Sequence, residues 1–318
     1  MALAGGFAVS VSPHIRSKEK VSNAMRDVLI ALIPVAIVAI YYFRWNAVIN
    51  ILVCMATAAL TEVVARSIAR KKITLNDYSA LVTGLFLALL LPPAATWWSG
   101  VIGTVIAVGI AKELLGGLGR NYFNPALFGR VSLILLSTWY VWIGGGGFKG
   151  NIVGVSGATP LFYLKEGALG AKPSYAALFL ANPGGSLSEV SVLAVLVGAA
   201  YLFYRKVISW EIPTAIIVSA FILSAILGVD PLYAILAGGL MFGAFFMATD
   251  WVTSPVSRNA RLVFGACIGI LVVLIRKYTA APEGVAYSIL LMNAFVPLLD
   301  KAFKPKPFGA VSATQKAA

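Results

Sequence analysis

Residues 26–43 read RDVLIALIPVAIVAIYYF, with no charged side chain from Val28 to Phe43. A helix that crosses a bilayer needs about 20 consecutive, mainly apolar residues. The stretch shows no period-2 alternation, so it reads as a spanning helix and not as a barrel strand. Nine further runs of the same kind follow, near 47–66, 78–94, 97–115, 126–143, 189–205, 210–227, 231–248, 260–276 and 284–300. The first run is preceded by a polar, charged segment and carries no small-residue cleavage site, so it is expected to be a retained span. The composition agrees: 60% of the 318 residues are hydrophobic and 12% charged, against roughly 45–50% and about 25% in soluble domains. The fold class expected is an all-α integral membrane protein of about ten transmembrane helices.

A net charge of +13 could signal nucleic acid, so the positions of the cations decide what it means. With the N-terminus inside, 19 of the 25 Lys and Arg fall in inside segments, leaving Arg44, Lys149, Lys165, Lys172, Arg276 and Lys277 outside. That is the positive-inside pattern. The basicity is therefore read as an orientation signal, both termini are expected in the cytoplasm, and no nucleic-acid partner is expected. The same orientation puts the one long gap, 144–188, on the outer face.

That gap lies between the fifth and sixth runs and divides the chain into five-helix halves. The organisation expected is a cytoplasmic segment 1–25, a first half 26–143, an outer loop 144–188, a second half 189–300 and a cytoplasmic basic tail 301–318. An odd number of spans per half makes the halves inverted repeats, a plan common in transporters. Segments 79–130 and 213–265 support it, each running from an apolar span to a polar residue, a Pro and basic residues.

Several local signals mark helix ends. Asn124-Pro125, Thr159-Pro160 and Ser254-Pro255 each set a capping side chain before a proline, as at Ncap and N1. Ser186-Leu-Ser-Glu189 reads as a capping box opening the sixth span. Gly239 and Gly243, and Gly265 and Gly269, have the spacing that lets helix backbones approach closely.

Chemistry-bearing motifs are few. Gly145, Gly147 and Gly150 match G-x-G-x-x-G formally, but no strand precedes them. His14 is the only histidine, which excludes His-based triads and metal sites. Cys54 and Cys267 sit in separate apolar runs and cannot alone complete a four-cysteine site; they read as small buried apolar residues. No catalytic or metal-ligating residue is expected. In the outer gap, NIVGVSGATPL (151–161) stands out. Thr159 at Ncap and Pro160 at N1 would set a hydroxyl beside unpaired N–H groups at the positive end of a helix, where an attached anion is stabilised. Ser156, Gly157 and Ala158 keep the approach small. An ordinary loop-to-helix cap has the same form.

VSGATPL (155–161), KELLGGLGRNYFNPALFGR (112–130), GGSLSEVS (184–191), MFGAFFMATDWVTSP (241–255), EGVAYSILLMNAFVPLLD (283–300), SPHIR (12–16) and the Ile-Arg-Lys after the ninth run together resemble the RnfD/NqrB family of membrane flavoproteins. The resemblance covers nearly the whole chain, and the absence of a long N-terminal extension favours the RnfD side. It implies FMN joined by a phosphoester to Thr159, within Ser156, Gly157, Ala158 and Pro160, by a flavin transferase acting outside the cytoplasm. The transferase motif commonly has Asp six residues before the threonine; Val153 stands there. A second, noncovalent flavin (riboflavin) is implied near Asn121 and Asn124, whose amides can meet both donors and acceptors of a flavin edge. Glu62 and Asp300 match carboxylates implicated in sodium uptake, and oxygen ligands suit a hard cation; simple solvation is the alternative.

The function expected is that of an electron-transfer subunit, not catalytic alone, in an ion-translocating ferredoxin:NAD oxidoreductase of the Rnf type. It would sit in a bacterial or archaeal inner membrane among the other subunits of the complex and lipid. The alternatives are an NqrB-type subunit of a sodium-pumping NADH:quinone oxidoreductase and a non-redox channel with inverted repeats.

Overall fold

A computed structural model describes residues 20–142, 173–181, 184–279 and 284–304. Among these the chain is helical, with no strand. Its helices are α1 (Val21–Phe43), α2 (Trp45–Ile68), α3 (Ser79–Leu90), α4 (Trp97–Leu114), α5 (Pro125–Trp142), α6 (Tyr175–Leu180), α7 (Val192–Tyr204), α8 (Glu211–Ile226), α9 (Pro231–Leu236), α10 (240–247), α11 (Arg258–Tyr278) and α12 (Gly284–Ala302). Each of the ten apolar runs contains helix. Five of the helices, α1, α2, α4, α11 and α12, are long and apolar enough to cross a membrane. This is a multi-pass membrane protein.

Apart from α5, which equals α4 in length, the other apolar runs give shorter helices, two of them for evident local reasons. After Leu90 come Leu91, Pro92 and Pro93; Leu91 is extended at φ −73°, ψ 146°, as a residue before proline must be. The run expected as one span over 231–248 is two helices. Gly238 and Gly239 take φ +70° and +67°, left-handed values that a glycine adopts without steric cost, and they turn the chain between α9 and α10. α10 then winds as a π-helix over Gly243–Met247, as α4 does over Val105–Leu114.

The helices pack in a recurring order. α2 lies against α3 and α4, and α4 against α5; α8 lies against α9, α10 and α11, and α11 against α12; α1 meets α7, and α5 meets α12. Gly265 sits at the α8–α11 crossing, where a Cβ would fall 2.7 Å from the Ile212 carbonyl. The core where the two sets meet is aromatic. Phe86 and Phe242 stand edge to face at 6.1 Å, and Phe242 stacks on Phe246 at 5.3 Å. Asp27 of α1 fixes α7 there, accepting from the Tyr201 hydroxyl (3.1 Å) and from Arg205 Nε (3.0 Å).

The bundle has a near end, where α1 begins, and a far end, where α1 turns into α2 at Arg44. Exposed Tyr204, Trp210 and Trp251 flank the near end, and exposed Trp45 and Trp97 the far end, the placement of aromatic belts at membrane interfaces.

Two expected caps move. Ser254-Pro255 does not open a helix: α11 starts at Arg258, with the Ser257 hydroxyl accepting from Ala260 N at 3.3 Å. Ser186 does not make a capping box. Its hydroxyl bonds the Glu189 carboxylate (2.8 Å), Leu187 N pairs with the Leu91 carbonyl (3.1 Å), and α7 opens at Val192 under a Ser191 cap.

Candidate functional site

The near end holds a network of buried charge. Glu62 on α2 is fully buried, and its Oε2 takes the Lys112 Nζ of α4 at 2.7 Å. Lys112, 1% exposed, also donates to the Ser79 hydroxyl at the start of α3 (2.6 Å). Glu62 Oε1 accepts from the Thr74 hydroxyl at 2.7 Å and lies 3.6 Å from Arg66 Nε, which donates to Glu113 at 3.2 Å. Lys112 and Glu113 are neighbours in sequence and do not face each other. They address Glu62 and Arg66, one turn apart on α2, so two carboxylates are matched by two cations. Ser79 is positioned by Asp77, whose carboxylate accepts from Ser79 N at 2.8 Å.

Beside this network a cavity is lined by Ser79, Lys112, Asn121, Asn124 and Asp250, with Met25, Val82 and Phe86 as apolar wall. The two asparagines differ in what they do. Asn124 caps α5 as its sequence implied, Oδ1 accepting from Ala126 N (3.1 Å) and Leu127 N (3.3 Å), and its Nδ2 donates to the Met247 carbonyl (3.3 Å). Its amide is spent on structure. Asn121 is 8% exposed, and its Oδ1 has no hydrogen-bond partner among the described residues. Leaving such a group unpaired costs about 1–3 kcal/mol, so Asn121 fits a ligand able to donate to it, as a flavin edge can. Asn293 of α12 completes the frame, accepting from Asn124 N (3.0 Å) and donating to the Thr253 carbonyl (3.1 Å). Asp250 accepts from the Thr253 hydroxyl (2.9 Å). Desolvation pushes its carboxyl above the ordinary value, against the pull of hydrogen bonds from Thr253 and Val252. Arg258 pairs with Glu211 at 3.7 Å.

Asp300 lies apart from this cluster, accepting from Val256 N at 2.9 Å and tying α12 to the turn before α11. Cys54 packs with Ala88, Leu91 and Leu133.

The far end is built around the break between α9 and α10. The break frees carbonyls that lipid cannot satisfy. The Arg276 guanidinium of α11 takes three of them: Nη1 donates to Ala234 (2.7 Å), and Nη2 to Ala237 (3.2 Å) and Gly238 (2.6 Å). A second cavity beside it is lined by Arg130, Ser186, Ser188, Glu189, Gly238 and Gly239. Ser156, Gly157, Ala158, Thr159 and Pro160, with Val153, lie outside the described residues.

Sequence reasoning missed Lys112, Ser79, Thr74, Asn293 and Arg276. A signal existed for two of them, because Lys112 and Arg276 are cations in or at the end of apolar runs, and an intramembrane ionisable residue implies a partner.

The fold and its buried charges define a helical membrane protein with polar cavities at both ends of a broken-helix core. Residues 8–309 match the family model described as NQR2, RnfD, RnfE, and the chain belongs to that family. It is 41% identical, over 98% of both chains, to a subunit of the Na(+)-translocating ferredoxin:NAD(+) oxidoreductase complex of Acetobacterium woodii. It is 40% identical to a subunit of the proton-translocating ferredoxin:NAD(+) oxidoreductase complex of Clostridium ljungdahlii, over 95% of this chain and 96% of that one. With a subunit of the ion-translocating oxidoreductase complex of Stutzerimonas stutzeri it shares 38% identity, over 92% and 93% of the two chains.

Proposed function

We propose that this chain is the membrane electron-transfer subunit of an ion-translocating ferredoxin:NAD oxidoreductase complex of the Rnf type, carrying FMN on Thr159 through a phosphoester. The observation that carries the reading is the match of 41% identity across 98% of both chains, which leaves little of either chain unaccounted for. The attachment within Ser156–Pro160 rests on the S-G-A-T motif and on family membership. A flavin transferase is the partner that installs it.

Riboflavin is the proposed occupant of the near-end cavity. Bound flavin supplies the redox chemistry; the protein sets its position, its electrostatic surroundings and its shielding from water. Asn121 offers the buried Oδ1 as an acceptor, Lys112 and Asp250 line the cavity as charged groups, and Asn124 and Asn293 hold its wall. Asn121→Leu is expected to lower the noncovalent riboflavin of the purified complex while covalent FMN stays unchanged; retention of riboflavin at the wild-type ratio would remove it from this site.

Two inverted five-helix repeats, 26–143 and 189–300, remain the proposed plan. The recurring packing order supports it, since the α2–α5 contacts have counterparts among α8–α12. So do the buried Lys112 and the half-buried Arg276, each a cation toward the end of an apolar helix that reaches a short helical element of its own half. The near end is assigned to the cytoplasm of a bacterial or archaeal inner membrane, with segment 1–25 and tail 301–318 there and the loop 144–188 outside. Arg66, Arg70, Lys71, Lys72, Arg205 and Lys206 support that orientation. Glu62 and Asp300 are the proposed carboxylates of the ion path, and Glu62 has the better oxygen setting, with the Thr74 hydroxyl on its Oε1. The relatives' names include both Na(+) and proton, so either ion fits the reading.

Inverted membrane vesicles from a strain lacking this chain should lose ferredoxin-driven NAD reduction and regain it when the chain is restored. Unchanged NAD reduction in the deletion strain would overturn the assignment.

A further inference from the structure

At the near end a polar cavity of about 220 Å³ opens between the α7–α8 turn and the segment joining α10 to α11. Lys206, Ser209, Trp251, Ser254 and Arg261 line it. Arg261 is held in the wall before any ligand arrives, its Nε donating to the Pro255 carbonyl (3.0 Å) and its Nη1 to the Ser209 hydroxyl (3.2 Å). Trp251 is fixed as well, its indole N–H on the Val207 carbonyl at 2.7 Å. The nearby carboxylate, Glu211, lies 3.7 Å from Arg258 and is attracted to Arg261 as well; one carboxylate among Lys206, Arg258 and Arg261 leaves the cavity with an excess of positive charge. An anion with several acceptor oxygens fits such a wall, because the guanidinium and ammonium groups can only donate and the serine hydroxyls can donate as well.

A second cavity adjoins the first and differs from it in character. It shares Val207, Ile208, Thr249 and Trp251 with the polar cavity and is otherwise walled mainly by Met25, Val28, Leu202, Phe246 and their apolar neighbours. A soluble anion would use only the polar half. The two together ask for a molecule with an anionic head and an alkyl body, at the end of the bundle where exposed Trp210, Trp251 and Tyr204 mark a membrane interface.

We propose that this pair of cavities is a binding site for an anionic phospholipid, the phosphodiester held by Lys206, Arg261 and Ser254 and an acyl chain lying along Val28, Leu202 and Phe246. Basic pockets between helices at the cytoplasmic side suit such head groups. The apolar cavity also shares Met25, Val82, Phe86 and Asp250 with the Asn121 cavity, so the acyl chain would cover that flank of it. This placement of the lipid does not depend on the flavin assignment.

The test uses the whole purified complex in mixed micelles containing a photoactivatable phosphatidylglycerol or its phosphatidylcholine counterpart, with crosslinks mapped by peptide mass. The acidic probe should label the peptides around Val207 and Trp251 more strongly than the neutral one. Each cation removed should lower that labelling by about fivefold. Lys206→Asn is the first variant, since Lys206 sits at φ +55°, a conformation asparagine tolerates; Arg261→Gln is the second. Ile208→Trp, which fills the apolar cavity and keeps both charges, should also reduce labelling. The proposal fails if both probes label equally, if Lys206→Asn and Ile208→Trp label like wild type, or if inorganic phosphate competes as well as unlabelled phosphatidylglycerol.

Discussion

Lys112→Met is expected to destabilise the protein by about 3–5 kcal/mol, the usual cost of stripping one partner from a buried ion pair. Glu62 has no exposure to water, and without the Lys112 ammonium its carboxylate keeps only the Thr74 hydroxyl and Arg66 Nε at 3.6 Å. Ser79 loses its ammonium donor in the same change, which loosens the start of α3. The effect should be non-additive. Lys112→Met combined with Glu62→Leu removes both charges and should recover most of the loss, because a buried pair replaced by apolar groups of similar volume is often neutral or stabilising. Thermal unfolding of the purified complex in detergent gives the comparison. A Lys112→Met protein as stable as wild type would show that the pair contributes nothing.

Thr159→Ala should abolish covalent flavin altogether and bring ferredoxin-driven NAD reduction to background. Alanine offers no oxygen for a phosphoester. The chain should still accumulate, since even where a threonine caps a helix its loss costs only about 1 kcal/mol, and riboflavin content should be unchanged. That combination separates a missing cofactor from a missing protein. Val153→Asp supplies the acidic residue usual in the transferase motif and should raise the flavinylated fraction if wild type is incompletely modified. Full activity in Thr159→Ala would place the electron path elsewhere.

What the sequence reveals depends on how local the determinants are. The apolar runs from Val28 onward needed only composition, and all ten contain helix. The α5 cap needed only Asn124 and Pro125. By contrast Ser254-Pro255 misled, because Ser257 stands three residues on and only backbone geometry decides which serine starts α11. Gly239 and Gly243 were read for helix packing, but the left-handed pair Gly238-Gly239 breaks the span. A glycine in an apolar run serves either purpose with the same letters. The charge network was hidden for a different reason. Lys112 finds Glu62 fifty residues upstream, and nothing local to either announces the other. Asn121 and Asn124 look equivalent in GRNYFNP, and only the fold shows that Asn124 is consumed by a cap and by Met247 while Asn121 keeps a buried oxygen.

The most direct test of the flavin assignment is the intact mass of the wild-type chain, 33.6 kDa unmodified, produced together with its flavin transferase. Flavinylation at Thr159 predicts an increment of one FMN less one water, carried by the peptide spanning 151–161 and absent from Thr159→Ala. An unmodified wild-type chain under those conditions, or a flavin found on any other residue, would contradict it.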